Sequence, residues 1–328
     1  MGLGGDLLWT PVLRALNARN GGRVRLLDRP LLSDFLHGVP YNRSSARQLS
    51  PIFRNNPFVE MPTPCRKGVL AQRLDRLGEM LTGFNRSRSW IESACYNRAV
   101  SSSFEFIYLD LPQHNYVERI EHDRYIWKKG GHIIDILAAS VGLNDVPHQC
   151  EIFFEPSENV RVEQVSKEKG LTSFITIEPN TNTGYFGDLR AWSFERWQEV
   201  VDWMKRERPG ITVVQVGAAG GRILDGVVDM CGALSFRETA ILIGHSRLYL
   251  GTEGGLMHAA NAVKARALIV WGGLTDPSFA GYPERDEIVH IGAPCAPCGL
   301  LGQCPSKHRC MREIEVKQVV NRLQEVIG

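Results

Sequence analysis

No stretch of this 328-residue chain approaches eighteen uninterrupted apolar residues, so no membrane-spanning helix is expected. The opening MGLGGDLLWTPVL has neither a charged first region nor a long apolar one, which argues against a secretory leader. Low-complexity tracts and solenoid-type repeats are absent, so disordered and repeat architectures fall away. Asp-x-Asp occurs nowhere, and nothing therefore points to a diphosphate held through a bridging metal. Arg66, Lys67, Arg73, Arg76, Arg86 and Arg88 cluster, but no nucleic-acid module surrounds them, and no nucleic-acid partner is expected. The expectation is a cytosolic globular protein.

What is present fits that reading. The chain is 43% hydrophobic and 23% charged, and its length suits two α/β domains with separate cores. The net charge of +2 is unevenly spread: residues 1–100 hold 15 Lys+Arg against 7 Asp+Glu. A basic N-terminal third suits an acidic substrate or an anionic membrane surface; it equally describes a solvated arginine-rich face.

Short β-rich runs alternate with helical patterns along the chain. Strands are predicted at 24–27, 106–109, 174–177, 212–216, 247–250 and 267–271. Helices are predicted at 9–19, 132–141, 160–169, 193–208, 237–243 and 256–263. Such alternation predicts parallel sheets with right-handed crossovers. Residues 144–159, NDVPHQCEIFFEPSEN, read as a link between an N-terminal domain (1–155) and a C-terminal one (156–328). GLGGDLLWTPVLRAL reads as a loop and helix that should follow a strand, yet only Met1 precedes it, so the pattern lacks the first strand of the N-terminal domain unless another segment takes its place.

The most informative stretch is 250–277, LGTEGGLMHAANAVKARALIVWGGLTDP. An apolar strand runs into Gly251–Gly255 and then a helix, whose first turn brings unpaired N–H groups and the positive end of its dipole. That is the anatomy of an anion site. His258 stands where it can donate to a phosphate, and Glu253 where it can accept from sugar or ribose hydroxyls. The plainer alternative is a glycine-rich turn with a chance histidine.

Three segments, in order, resemble glycosyltransferase family 9, the heptosyltransferases of lipopolysaccharide core assembly. They are GLGGDLLWTPVLRAL at 2–16, IEPNTNTGYFGDLRAWSFERWQEVVDWM at 177–204, and ALSFRETAILIGHSRLYLGTEGGLMHAANAVKARALIVWGGLTDP at 233–277. Weaker likeness continues at 50–62 and through the closing CAPCGLLGQCPSKHRCMREI, so it covers nearly the whole chain. The resemblance implies two Rossmann-like domains facing a cleft (the GT-B arrangement). An ADP-activated heptose would be held by the C-terminal domain, with a lipopolysaccharide-like or other glycan acceptor against the N-terminal one. It also implies a cytoplasmic enzyme whose catalysis requires no cofactor, and the basic N-terminal third would face the phosphorylated acceptor or the inner membrane surface.

Residue by residue, the resemblance makes Asp6 the base that takes the acceptor hydroxyl proton; without the resemblance, Asp6 reads first as the cap of the following helix. Arg190 stands where the family carries a lysine near the phosphates, and a guanidinium can contact phosphate bidentately. Asn180, Thr181 and Asn182 would be phosphate or ribose donors, or ordinary turn residues. Gly255 and His258 match the family pattern. Glu253 and Gly254 replace the more usual Asp and Thr, which removes one hydroxyl contact. Gly217 in QVGAAGGR resembles the second-domain loop near the base, but Gly220, Gly221 and Arg222 stand where an acidic adenosine contact is expected. Thr275 and Asp276 are read as shaping their loop. Trp192, Trp197 and Trp203 read as packing, and His114, His122 and His132 have no metal-ligand spacing.

Cys295, Cys298, Cys304 and Cys310 make up half of the chain's eight cysteines, in a C-x2-C-x5-C-x5-C pattern. In a reducing compartment that spacing leaves a structural iron or zinc knuckle, or free thiols, ahead of disulfides. Relatives that glycosylate autotransporters carry an iron-binding cysteine cluster, which the resemblance extends to here. Two alternatives to lipopolysaccharide heptosyl transfer stay open: a family relative with a protein acceptor or another nucleotide-sugar, and a non-catalytic nucleotide-sugar-binding protein.

Overall fold

A computed structural model of the chain describes residues 3–25, 50–60, 131–181, 187–299 and 304–328. The predicted strand at 106–109, the basic cluster at 66–88, His114, His122 and Asn182 lie outside them. The chain divides into two compact units, one of Met1–Ala15 with Leu109–Gly328 and the other of Leu16–Tyr108. In the smaller unit, β1 (Val24–Arg25) pairs in parallel with β2 (Val59–Glu60), Val24 opposite Val59. A 3-10 turn at Pro51–Phe53 precedes β2, and its Ser50 hydroxyl accepts from the Ile52 N–H.

The larger unit contains a six-stranded parallel sheet: β3 (Phe174–Ile177), β4 (Thr212–Gln215), β5 (Val228–Asp229), β6 (Tyr249–Thr252), β7 (Ala267–Val270) and β8 (Glu287–Val289). Their order is β5-β4-β3-β6-β7-β8, the doubly wound order in which the chain reverses direction of growth between β3 and β6. β3, β6 and β7 are buried along their whole length, as strands covered by helices on both faces must be. β5 and β8, with two and three residues, form the edges and were not predicted.

The helices are α1 (Leu3–Asn20), α2 (Ile133–Ser140), α3 (Pro156–Glu168), the single turn α4 (Gly187–Arg190), α5 (Phe194–Glu207), α6 (Phe236–His245), α7 (Gly255–Ala262), the single turns α8 (Pro277–Ala280) and α9 (Arg309–Arg312), and α10 (Val316–Ile327); α1, α2, α3, α5, α6 and α7 overlap the predicted helices, whereas α4, α8, α9 and α10 were not predicted. α3 begins four residues earlier than predicted because the Glu158 carboxylate accepts from the Glu155 N–H at 2.7 Å and Pro156 suits the first turn. The same carboxylate takes a two-pronged contact from Arg237 of α6, which is only 2% exposed and also donates to the Phe153 carbonyl. That pair, in place of apolar packing alone, fixes α3 against α6.

On one face of the sheet, α5 and α10 cover Ile175, Ile177, Leu268 and Val270. Trp192 and Trp197 meet edge-to-face at 4.8 Å in this core and Trp203 packs against it, in agreement with the packing role expected of all three. α10 presents Val319, Leu323, Val326 and Ile327, a helical stripe that carries the chain's C-terminal end into the same core. These contacts hold the carboxyl ends of the central strands in place.

Candidate anion site at the sheet reversal

Ligands of doubly wound sheets sit outside the strand carboxyl ends where strand order reverses. Here that position lies between β3, which runs out into Glu178-Pro179-Asn180-Thr181, and β6, which runs out into Glu253-Gly254. α7 starts at Gly255, and its N-cap, Gly254, brings no side-chain oxygen to occupy the first-turn N–H groups.

The start of α1 lies on the start of α7. A side chain on Gly4 would come within 2.9 Å of the Gly255 Cα and 3.1 Å of His258 Cδ2, so glycine at position 4 is what permits the contact. Two helix N-termini therefore converge on one spot, and their dipoles add there. An anion between them relieves a repulsion that neither helix removes by itself. Asp6, half-buried in the first turn of α1, supplies one negative charge to that end. The glycine loop expected around Asp6 is thus helix from Leu3 onward. The helical cost of its glycines, about 1 kcal/mol each, is set against a close approach that no other residue allows.

Arg190, the last residue of α4, points Nη1 to within 3.9 Å of Glu253 Oε1. The other oxygen of Glu253 accepts from the Thr275 hydroxyl at 3.3 Å. Burial raises the Glu253 carboxyl above its ordinary value, while Arg190 and Thr275 pull it down. Thr275 and Asp276 shape their loop as expected: the Thr275 carbonyl accepts from Trp271 Nε1 at 2.9 Å, and Asp276 caps α8 through the Ser278 N–H at 2.9 Å. Asn180 and Thr181 face inward to the loops. Asn180 Nδ2 donates to the Arg222 carbonyl at 2.8 Å, and the Thr181 hydroxyl donates to the Gly187 carbonyl at 3.2 Å. Gly221 lies so close to the Asn180 amide that a Cβ there would sit 2.5 Å from Nδ2, which explains the glycine found in place of an acidic residue.

Several residues of the site were not singled out from sequence. Glu178 is half-buried at the end of β3 and accepts the Tyr249 hydroxyl at 2.7 Å. Burial pushes its carboxyl up to about 7, against the pull of Tyr249 and Arg190. Gly251 makes room for the Tyr249 ring to lie along the strand, and a Cβ on Gly217, at φ 138°, would lie 4.0 Å from Glu178 Oε1. The sequence signal for Glu178 was a carboxylate directly after a buried strand. Behind α7, His258 Nδ1 meets the Tyr282 hydroxyl at 2.7 Å, and that hydroxyl meets Cys150 Sγ at 3.2 Å. Burial, and then the neighbouring His132 and Arg190, lower His258 to about 3, so its imidazole is neutral at working pH. His132 caps α2: its Nδ1 accepts from the Ile134 N–H and its Nε2 donates to the Gly281 carbonyl.

The four clustered cysteines are unbridged, Cys295 exposed and Cys298, Cys304 and Cys310 half-buried. Burial raises the Cys310 thiol, and the nearby Cys295 and Cys304 add to the shift. Among the described residues no group of three or more His, Cys, Asp or Glu side chains is placed to hold a metal. No described helix is long and apolar enough to cross a membrane.

Strand order and reversal point define a Rossmann-like α/β domain, with two helix N-termini meeting beside its strand carboxyl ends. The model of glycosyltransferase family 9 (heptosyltransferase) matches residues 133–307, just over half the chain, and the chain belongs to that family. Lipooligosaccharide heptosyltransferase 2 of Campylobacter jejuni (strain 81116) is 21% identical over 102 residues, covering 30% of this chain and 32% of that protein, so the match spans about a third of the relative's length. Two solved structures share the fold over the whole chain. One is a family 9 glycosyl transferase from Veillonella parvula (TM-score 0.62, 14% identity, 100% of this chain and 95% of that one). The other is the E. coli ADP-heptose lps heptosyltransferase II (TM-score 0.58, 14% identity, 99% and 96%). The α/β fold is therefore of the GT-B type expected from sequence.

Proposed function

We propose that this protein is an inverting glycosyltransferase that moves a heptose from ADP-heptose to a lipopolysaccharide core-like acceptor at the cytoplasmic side of the inner membrane. The observation that carries this reading is the convergence of the α1 and α7 N-termini at the sheet reversal, which favours a diphosphate. In the reaction, the acceptor oxygen bonds to the anomeric carbon while the bond from that carbon to the diphosphate oxygen breaks on the opposite face. The acceptor proton passes to Asp6, and ADP leaves with the bonding electron pair. The first turn of α7, with His258 and Arg190, stabilises the charge that develops on the leaving diphosphate. Glu253, Gly254, Gly255 and Gly217 line the donor, and Asn180 and Thr181 shape the loop beside it. No metal is assigned a step in the chemistry.

Asp6→Asn tests the chemistry. The variant should bind ADP as the wild type does and lose heptosyl transfer by at least about a hundredfold, the contribution of a general base. Full transfer by Asp6→Asn would overturn the base assignment. Arg190→Ala should weaken ADP binding about tenfold or more, the worth of a charge-assisted hydrogen bond; unchanged affinity would remove Arg190 from the diphosphate.

A further inference from the structure

We propose that Tyr282 is a positioning residue: its hydroxyl holds His258 as the tautomer protonated on Nε2, and so keeps a donor proton at the meeting of the α1 and α7 N-termini. The inference deepens the donor-site reading above and rests on it for its ligand.

Three buried groups stand in line. Cys150 is fully buried, Tyr282 is 4% exposed and His258 is 7% exposed. Tyr282 is held from both sides. The carbonyl of Gly281, just before it, accepts from His132 Nε2 at 3.1 Å, and its own carbonyl accepts from the Asp286 N–H at 2.8 Å. Cys150 is held by its N–H, which donates to Asn261 Oδ1 at 2.7 Å on the same helix that carries His258. None of these anchors is mobile side-chain packing at a surface.

The phenol has one proton and two neighbours, an imidazole nitrogen and a sulfur. Imidazole nitrogen is a strong acceptor, and the phenolic O–H is a strong donor; sulfur is weak as either. The 2.7 Å separation to His258 Nδ1 is that of a strong bond, and the 3.2 Å separation to Cys150 Sγ is consistent with the thiol as donor. The consistent assignment runs Cys150 S–H to the Tyr282 oxygen, then Tyr282 O–H to His258 Nδ1. Burial pushes the Cys150 thiol up to about 12, so it keeps the proton this assignment needs. With Nδ1 an acceptor in a neutral ring, the remaining proton is on Nε2.

Nε2 is bonded to Cδ2, the ring atom that faces Gly4 at the start of α1. It makes no hydrogen bond among the described residues. A nine-tenths-buried imidazole therefore presents an unpartnered N–H to the place where two helix dipoles already favour an anion. Its ligand chemistry is a phosphoryl oxygen. Without Tyr282, the neutral ring would be free to place the proton on Nδ1 and offer a lone pair to that oxygen instead.

The tautomer is read by nitrogen-15 NMR of the imidazole side chains, in wild-type protein without ligand. Nδ1 of His258 should show the shift of an unprotonated, hydrogen-bond-accepting nitrogen and Nε2 that of a protonated one; the reverse pattern would overturn the proposal. In Tyr282→Phe the His258 pattern should move toward a mixture, while Cys150→Ala, which leaves the phenol-to-imidazole bond in place, should preserve it. Affinity for ADP and for inorganic pyrophosphate should fall about two- to tenfold in Tyr282→Phe, since only the correctly protonated fraction binds. Unchanged pyrophosphate affinity with a changed tautomer would also overturn the positioning role. If the wild type itself binds neither probe, the donor-site reading fails, and the NMR pattern still decides whether Tyr282 fixes the proton.

Discussion

Glu178 offers the sharpest test of the electrostatics at the sheet reversal. It stands at the end of β3, half-buried, with one carboxylate oxygen taking the Tyr249 hydroxyl at 2.7 Å. Burial pushes its pKa from an ordinary 4.5 to about 7. The folded protein thus holds a proton that the unfolded chain has released between those two values. Stability from this group is fully present below pH 4.5 and is lost as pH rises through about 7. A shift of that size corresponds to about 3 kcal/mol. Glu178→Gln keeps the shape and an acceptor oxygen for Tyr249 but never ionises. Urea unfolding of the two proteins across about pH 4 to 8 should therefore show the variant gaining on the wild type by about 3 kcal/mol, all of it within the window from 4.5 to about 7. Two parallel stability curves would refute the reasoning, as would a variant that loses ground at high pH.

Other predictions follow from single contacts. Gly4→Ala should cost about 1–3 kcal/mol and weaken ADP binding, because its Cβ meets backbone of α7; Gly22→Ala, with open space around it, should be neutral in the same thermal melts. Trp197→Ala should cost about 3–5 kcal/mol in denaturant unfolding, since the ring is fully buried between the sheet, α5 and α10, and a cost under about 1 kcal/mol would contradict that packing. His258 contributes stability that is present above pH 6.5 and lost as pH falls toward about 3, so His258→Gln should flatten the acid limb of the stability curve; an unchanged limb would mean the imidazole is not buried in its neutral form.

The central strands were legible because fully buried parallel strands are continuous apolar runs: FITI and ALIV can hardly be anything else between helical patterns. β5 and β8 were not, since two or three residues at a sheet edge carry no periodicity. Gly254, Gly255 and His258 were readable as a helix opening on an anion, and the structure puts them at the reversal point. The helix around Asp6 was not readable. Its glycines argue locally for a loop, and the helix instead starts at Leu3, with Gly4 placed against Gly255, some 250 residues away in sequence. Tyr282 was equally out of reach, because its meaning comes from a 2.7 Å contact with a residue on another element. Asn180 and Thr181 were found in the expected loop, yet their side chains are spent on neighbouring carbonyls, a choice that spacing does not reveal.

The most direct test of the central claim is calorimetric titration of the folded protein with ADP-heptose, with ADP and UDP run alongside. Binding of ADP-heptose and ADP, without UDP, is the predicted result. Folded protein that binds none of the three, or that prefers UDP, would contradict the reading of the α1–α7 meeting point as the site of an adenine-nucleotide sugar.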